Sequence, residues 1–181
     1  IIFNFLIVQI LLLTQLNGLE PYMLFDFNKK SSLSNWYIVD DVVMGGRSSG
    51  YLKIDDDGHG RFGGNISLRN NGGFSSVRYQ FKKKKVIQYD KLLIRVKGDG
   101  KRYQIRIKEN INDYFSYVAN IKTKNDWQTI EVDLKSMYPV FRGRMLNQPN
   151  FSGKYLQEIG FLIGNKRAEK FNLIIDKIEL K

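Results

Sequence analysis

The densest group of residues that could do chemistry is the stretch from Asp40 to Gly50, which reads DDVVMGGRSSG. Two adjacent carboxylates and the guanidinium of Arg47 stand on either side of a glycine pair. Glycine reaches positive φ and lets another backbone or a ligand come close. We expect a turn that is held by an ion pair between Arg47 and Asp40 or Asp41. The same charges could instead belong to a binding site, because loops often carry function.

The rest of the sequence contains few residues or motifs that indicate catalysis. No nucleophile elbow, phosphate loop or dinucleotide fingerprint is present. The absence of cysteine removes disulfides, thiolate zinc sites and cysteine nucleophiles together. Asp40 and Asp41 could flank a glycosidic bond as the carboxylates of glycosidases do, but nothing in the sequence shows that they converge. We therefore expect no enzyme activity and no cofactor.

One loop, residues 55–60 (DDDGHG), has the composition of a calcium site. Calcium takes about six to eight oxygen ligands from a shaped loop, and consecutive acids in an extended chain point to opposite sides. An Asp-Gly pair before a strand is the stronger signal, because it is typical of a hairpin turn. We predict a turn without a metal ion, in which the only histidine, His59, is solvated.

These groups must be positioned by short β-strands. The stretch around Tyr103, Ile105 and Ile107 alternates apolar with polar residues and predicts a half-buried strand. A strand from Phe74 to Phe81 would place Arg78 on the face opposite its apolar residues, either solvated or pointing into a concave surface. Residues 82–85, four lysines in a row, are predicted to form a solvated loop.

The whole chain predicts about ten such strands at short, regular spacing, which is typical of an antiparallel all-β sandwich or barrel. No linker rich in proline or serine divides it, so residues 19–181 are expected to form a single β-sandwich domain. The formal net charge of this region is +11, because residues 1–18 carry no charge. No named nucleic-acid motif accompanies that charge, so we expect no specific nucleic-acid partner.

Residues 1–18 are predominantly apolar. An uncharged apolar block of this length at the N-terminus is typical of a signal peptide or an N-terminal membrane anchor. We predict that the protein is exported or membrane-associated and that the mature chain begins near Leu19.

Four stretches also resemble a known family. These are residues 36–50, residues 62–78, the GDGKRY of residues 98–103 and the FRGR of residues 141–144. From about Leu24 to the C-terminus the chain is similar to the complex I intermediate-associated protein 30 family. The resemblance implies a jelly roll of the galactose-binding-like type. It also implies an assembly factor that acts through protein–protein interaction, with membrane respiratory-complex subunits as partners.

The jelly rolls related to that family include carbohydrate-binding modules, so the alternative function is a carbohydrate-binding module of an exported protein. Such modules stack sugar rings on exposed aromatic residues, although core packing is the commoner use of aromatic side chains. The candidates for an aromatic platform are Tyr114, Tyr117, Trp127, Tyr138 and Phe141.

Three glycine-rich turns in the family-like stretches each present an arginine. Loops at one end of a sandwich can converge, and arginine offers a fixed fork of donors for carboxylates or a carbonyl-rich partner. We predict one shared binding patch made of Asp41, Met44, Arg47, Asn71, Phe74, Arg78, Arg142 and Arg144. The alternative is that each arginine serves only its own turn.

Overall fold

The computed structural model describes residues 20–181 of the chain. This part contains thirteen β-strands and three short 3-10 helices, joined by turns and loops. The strands are β1 (Tyr22–Asp26), β2 (Trp36–Asp40), β3 (Ser49–Ile54), β4 (Gly60–Ile66), β5 (Ser75–Lys85), β6 (Lys91–Lys97), β7 (Arg102–Lys108), β8 (Ser116–Lys122), β9 (Trp127–Asp133), β10 (Tyr138–Phe141), β11 (Arg144–Met145), β12 (Tyr155–Ile163) and β13 (Glu169–Leu180). The 3-10 helices span Asp41–Met44, Arg69–Asn71 and Leu134–Ser136. The predicted signal or anchor segment, residues 1–18, lies outside the described residues.

The strands form two antiparallel sheets. Sheet A has the order β3-β4-β13-β6-β9, and β1 also pairs with β13. Sheet B has the order β11-β10-β8-β7-β12-β5-β2. The predicted antiparallel all-β sandwich is therefore confirmed. Within residues 20–181, no helix is both long enough and apolar enough to cross a membrane.

The core lies between the two sheets because apolar side chains alternate along the strands. In β7, Tyr103, Ile105 and Ile107 are buried, whereas the residues between them are more exposed, as the sequence pattern predicts. Fully burying an isoleucine or a phenylalanine stabilises the fold by about 1.5–3 kcal/mol. The outward face of β7 carries polar and cationic side chains, and it forms the middle of the site described below.

Two local features concern the strands β2, β3 and β5. The strands that flank the acidic stretch, β2 and β3, pair in different sheets, so the chain crosses from sheet B to sheet A there. The four lysines of residues 82–85 form no loop, and that prediction is wrong. They continue β5 because Lys84 and Lys85 pair with Leu156 and Tyr155 of β12.

Candidate functional site

Asp41 is the centre of the acidic stretch, and its side chain is buried. Its carboxylate accepts hydrogen bonds from the backbone N–H of Ser48 (2.9 Å), Gly73 (2.5 Å) and Phe74 (3.2 Å), and from the Ser48 hydroxyl. Burial acts to raise the pKa of Asp41, but the hydrogen bonds from Ser48, Gly73 and Phe74 outweigh it and lower this pKa. Asp41 thus joins two loops that are far apart in sequence.

Glycines make room for this carboxylate. A Cβ atom at Gly46 would collide with the Asp41 carboxylate, and one at Gly72 would lie 2.5 Å from Asp41 Oδ2. Gly45 ends the 3-10 helix at φ 87°, in the left-handed region that glycine favours. The glycine pairs Gly45-Gly46 and Gly72-Gly73 therefore both lie around one buried acid.

Arg47 does not pair with either acid, so that prediction is wrong for the described chain. No ion pair or hydrogen bond joins the Arg47 guanidinium to Asp40 or Asp41, and Arg47 is exposed. Backbone N–H groups bind the two acids instead of Arg47. The N–H of Gly50 donates a hydrogen bond to Asp40 Oδ2 at 2.9 Å, and Asp41 has the donors described above. The turn is held by hydrogen bonds from the backbone and from a serine.

A groove of about 710 Å³ lies on the outer face of sheet B. We call it the sheet B groove. Its floor carries side chains of β5, β7 and β8: Arg78, Gln104, Arg106, Lys108 and Ser116. Three further strand residues of sheet B also line it: Val140 and Phe141 of β10 and Leu162 of β12. The other lining residues form the rims and come from the connections around the sheet: Asp41, Met44, Leu68, Asn71, Gly72, Gly73, Phe74, Tyr114, Arg142, Gly143, Gly164 and Lys166.

The strand register brings the floor residues together. Gly160 of β12 lies opposite Arg78 of β5 on one side and opposite Arg106 of β7 on the other. Tyr37 of β2 continues this row next to Arg78. In a sheet, residues that are directly opposite one another point to the same face. Two arginines therefore share the groove floor with a glycine between them.

A buried acid lies beside the two arginines. Glu158 of β12 accepts hydrogen bonds from the Tyr37 hydroxyl (2.6 Å) and from Gln80 Nε2 (3.0 Å). Its other oxygen is 3.9 Å from Arg78 Nη1. Burial, together with the hydrogen bond to Glu158, raises the pKa of Tyr37 to about 12. Tyr37 is thus a donor, and the Glu158 carboxylate is held in place by neutral groups and one cation.

The cations on β7, Arg106 and Lys108, donate hydrogen bonds to neutral oxygens. Burial and the neighbouring charge of Arg78 lower the pKa of Arg106 to about 10. Arg106 Nη1 donates to Gln104 Oε1 at 3.3 Å, whereas the buried Arg106 Nε has no hydrogen-bond partner among the described residues. Lys108 donates to the backbone oxygen of Asp113 at 2.6 Å, and burial lowers its pKa. The groove floor therefore holds excess positive charge.

The predicted site residues fall into two groups. The larger group lines the sheet B groove: Asp41, Met44, Asn71, Phe74, Arg78 and Arg142. Arg47 and Arg144 are not among the residues that line it. Whether any of these residues binds a partner remains a prediction, because their placement alone does not test a role.

Sequence reasoning did not select Arg106, Lys108 and Glu158. The available signals were the outward cations of the alternating strand β7 and a single acid within the apolar run of β12. Those signals became meaningful only when the register of β5, β12 and β7 placed the side chains side by side.

The five aromatic residues proposed for a sugar-binding platform lie in different parts of the structure. Tyr114 and Phe141 line the groove and pack edge to face with centroids 5.1 Å apart. Tyr117 packs against the hydrophobic core, and Trp127 lies on sheet A beside His59 at 4.7 Å. The hydroxyl of Tyr138 accepts a hydrogen bond from Asn120 at 2.6 Å. Only Tyr114 and Phe141 of this set line the groove within the described chain.

The acidic loop of residues 55–60 forms the predicted hairpin turn between β3 and β4. Asp55 Oδ1 accepts hydrogen bonds from the backbone N–H of Asp57 (3.1 Å) and His59 (2.8 Å), and Gly58 has φ 95°. His59 is less solvated than expected, since its ring lies 3.6 Å from both Asp55 and Asp176. Asp55, Asp57 and His59 could approach one metal ion, but the turn itself accounts for their grouping.

The fold has solved relatives. Over 91% of this chain and 95% of the other, it is similar to the family 11 carbohydrate-binding module of the cellulosomal cellulase Lic26A-Cel5E of Clostridium thermocellum, with a TM-score of 0.65 and 18% identity. A structure of the family 11 module from Clostridium thermocellum in complex with a β-1,3-1,4-mixed-linked tetrasaccharide has a TM-score of 0.61 and 20% identity, over 88% and 94% of the two chains. These likenesses confirm the predicted jelly-roll sandwich and concern the fold alone.

Sequence comparison identifies two mitochondrial relatives. The mitochondrial Complex I intermediate-associated protein 30 of Drosophila melanogaster is 24% identical over 187 residues, which is 90% of this chain and 63% of that protein. The Mus musculus protein of the same name is 25% identical over 188 residues, which is 88% of this chain and 56% of that protein. This chain thus spans about three fifths of the length of these relatives. Residues 25–175 match the family model described as Complex I intermediate-associated protein 30, and the chain therefore belongs to that family.

Proposed function

We propose that this chain is a non-enzymatic binding module that holds a protein partner in the sheet B groove and takes part in respiratory complex I assembly. The observation that carries the proposal is that three family-like turns, distant in sequence, line one groove. They contribute Asp41 and Met44, Asn71 and Phe74, and Arg142. The name of the mitochondrial relatives supports a respiratory partner, and the apolar N-terminal segment supports membrane association.

The composition of the groove favours a protein ligand. Protein interfaces are enriched in aromatic residues, methionine and arginine. The rim residues Met44 and Tyr114 are 61% and 60% exposed, so they offer apolar contact area to a partner. Between the rims lie Arg78 and Arg106. An apolar rim around a cationic floor suits a partner segment that carries both apolar and acidic side chains.

The test is capture of respiratory subunits from the native membrane fraction with the tagged full chain as bait. We expect complex I subunits in the captured material and their loss when Met44→Ala and Tyr114→Ala are combined. The matched control combines Met23→Ala with Tyr51→Ala, because these residues are 40% and 44% exposed on sheet A. Equal capture by both double variants, or no respiratory subunit with the wild-type chain, would contradict the proposal.

Carbohydrate binding is the second candidate, and a specific observation favours it. Tyr114 and Phe141 form an aromatic pair at the groove rim, and the fold is that of a module solved with a tetrasaccharide. Sugar rings stack on such side chains, and polar groups on the groove floor orient them. This candidate predicts saturable binding of the β-1,3-1,4-mixed-linked tetrasaccharide in calorimetry, lost in Tyr114→Ala and retained in Tyr51→Ala. No heat of binding at millimolar sugar would exclude that ligand.

A further inference from the structure

The two arginines of the groove floor are separated by bare backbone. Gly160 lies in register between Arg78 and Arg106, so the Cα atoms of the two arginines are two strand spacings, or about 9.5 Å, apart. A Cβ atom at Gly160 would lie 2.6 Å from the backbone oxygen of Val77 and 3.1 Å from Arg78 Cγ. A side chain at position 160 would have to displace β5 or Arg78, so glycine keeps the position between the two arginines free of a side chain of its own.

The side chains that line the groove carry an excess of positive charge. Five cationic residues line it: Arg78, Arg106, Lys108, Arg142 and Lys166. The only acid among the lining residues is Asp41, whose carboxylate already accepts four hydrogen bonds. Glu158 lies next to the floor, but it is shared with Tyr37 and Gln80 and stands 3.9 Å from Arg78. The like charges of Arg78 and Arg106 repel each other, and Arg106 Nε has no partner among the described residues.

We infer that the sheet B groove binds an acidic peptide segment and that one carboxylate of this segment lies over Gly160, between Arg78 and Arg106. The inference rests on the proposed function and names the chemistry of its partner. A carboxylate there would receive charge-assisted hydrogen bonds from guanidinium groups, which fit it bidentately. It would also relieve the repulsion between the two arginines.

The spacing of the cations matches an extended chain. Arg106 and Lys108 are two residues apart on β7, so they point to one face at a separation of about 6.7 Å. Acidic side chains at alternate positions of an extended peptide share one face with the same separation. A segment with acids at alternate positions thus presents one carboxylate to the arginine pair and the next to Lys108. A neutral sugar offers no charge to these groups.

The test uses a fluorescein-labelled six-residue peptide that alternates glutamate with serine, and the full chain at about 50 mM salt, where electrostatic contacts are weakly screened. We expect the anisotropy of the label to rise on binding, and the affinity to fall roughly tenfold or more when Arg78→Gln and Arg106→Gln are combined. The matched control combines Lys53→Gln with Lys170→Gln, which removes the same charge from exposed positions of sheet A. The peptide with glutamine in place of glutamate should not bind.

Thermal unfolding checks that the double variant is folded. If it is not, Arg142→Asn replaces it, because this residue lies on a surface turn at the groove rim. Equal peptide affinity for the groove variant and the sheet A control would overturn the inference. So would equal binding of the glutamine peptide, or binding of a trigalacturonate in the groove without binding of the glutamate peptide.

The inference and the proposed function fail separately. If respiratory subunits are captured through the groove rim while the glutamate peptide does not bind, the partner is not acidic and only the inference fails. If the peptide binds through Arg78 and Arg106 while no respiratory subunit is captured, the anion site stands and the assembly role fails.

Discussion

At the scale of single residues, Asp41 determines how the acidic stretch is used. Ser48 belongs to the same stretch, whereas Gly73 and Phe74 come from the loop before β5, and all three donate to one carboxylate. A buried carboxylate is stable only when its hydrogen-bonding capacity is filled. Gly46 and Gly72 leave space for this carboxylate because they have no Cβ atom. Asp41 is therefore a structural residue at the edge of the groove.

Replacing Asp41 with asparagine should lower the free energy of unfolding by about 2–3 kcal/mol at neutral pH, because the charged acceptor is lost. The folded-state pKa of Asp41 is lowered, so its stabilising contribution is complete above the unfolded-state pKa of about 3.9. The contribution is lost as the pH falls through the folded-state pKa. The stability gap between wild type and Asp41→Asn should thus narrow below about pH 4. Urea unfolding from pH 7 downward measures it.

The control is Asp56→Asn, which changes an exposed acid in the hairpin turn and should alter stability by less than about 0.5 kcal/mol. A gap between wild type and Asp41→Asn that stayed constant down to pH 2 would show that ionisation of Asp41 contributes nothing to stability.

At the scale of elements, the β10–β11 hairpin sets the position of Arg142. Val140 pairs with Met145 and Phe141 with Arg144, which leaves a two-residue turn of Arg142 and Gly143. Both turn residues have positive φ, 47° and 77°. That is the pattern of a type I′ turn, for which Asn-Gly is the favoured sequence. Arginine is an unusual choice at this position, because in the left-handed conformation the Cβ atom of an L-residue lies too close to the following carbonyl oxygen.

Arg142→Asn should keep the turn or stabilise it by up to about 1 kcal/mol, because asparagine tolerates the left-handed region. The same change removes a guanidinium from the groove rim and should weaken binding of the glutamate peptide by roughly two- to fivefold. Thermal unfolding and fluorescence anisotropy measure the two effects on one variant. Arg144→Asn is the control, since Arg144 is exposed and is not a lining residue. A destabilised variant with unchanged binding would assign Arg142 to the hairpin alone.

At the scale of the whole molecule, the sheets bury a core that belongs entirely to residues 24–180 among those described. β1 pairs with the end of β13, and this contact joins the first described strand to the last one. The role of residues 1–18 in export or membrane attachment stays a prediction from their apolar sequence.

A chain that begins at Leu19 should therefore fold without residues 1–18 and remain soluble. We expect its unfolding midpoint to lie within about 2 °C of that of the longer chain, because this shorter chain keeps every residue of the described core. Differential scanning calorimetry of residues 19–181 makes this comparison, and mass spectrometry of the native protein tests for an N-terminus near Leu19. An intact N-terminus on a cytosolic native protein would refute the export prediction, and aggregation of the shorter chain would refute the folding prediction.

The sequence by itself determined the fold class and the inward faces of the strands. The alternation around Tyr103, Ile105 and Ile107 predicts both the strand β7 and the side chains that it buries, because a strand has a period of two. It also indicated which turns matter, since glycine pairs and Asp-Gly have strong local preferences. The hairpin of residues 55–59 depends on such local chemistry and was predicted correctly.

Only the tertiary structure decided which partners these residues have. Asp41 could have paired with Arg47, six residues away, yet it is bound by backbone groups of Gly73 and Phe74. Arg78 and Arg106 became neighbours through the register of three strands, with Gly160 between them. Strand order and register are set by packing between residues that are distant in the chain, and a short-range sequence pattern carries no record of them. For that reason the positions of the turns at the groove rim were predictable from the sequence, whereas the hydrogen-bond partners of Asp41 and the place of Arg106 on the groove floor were not.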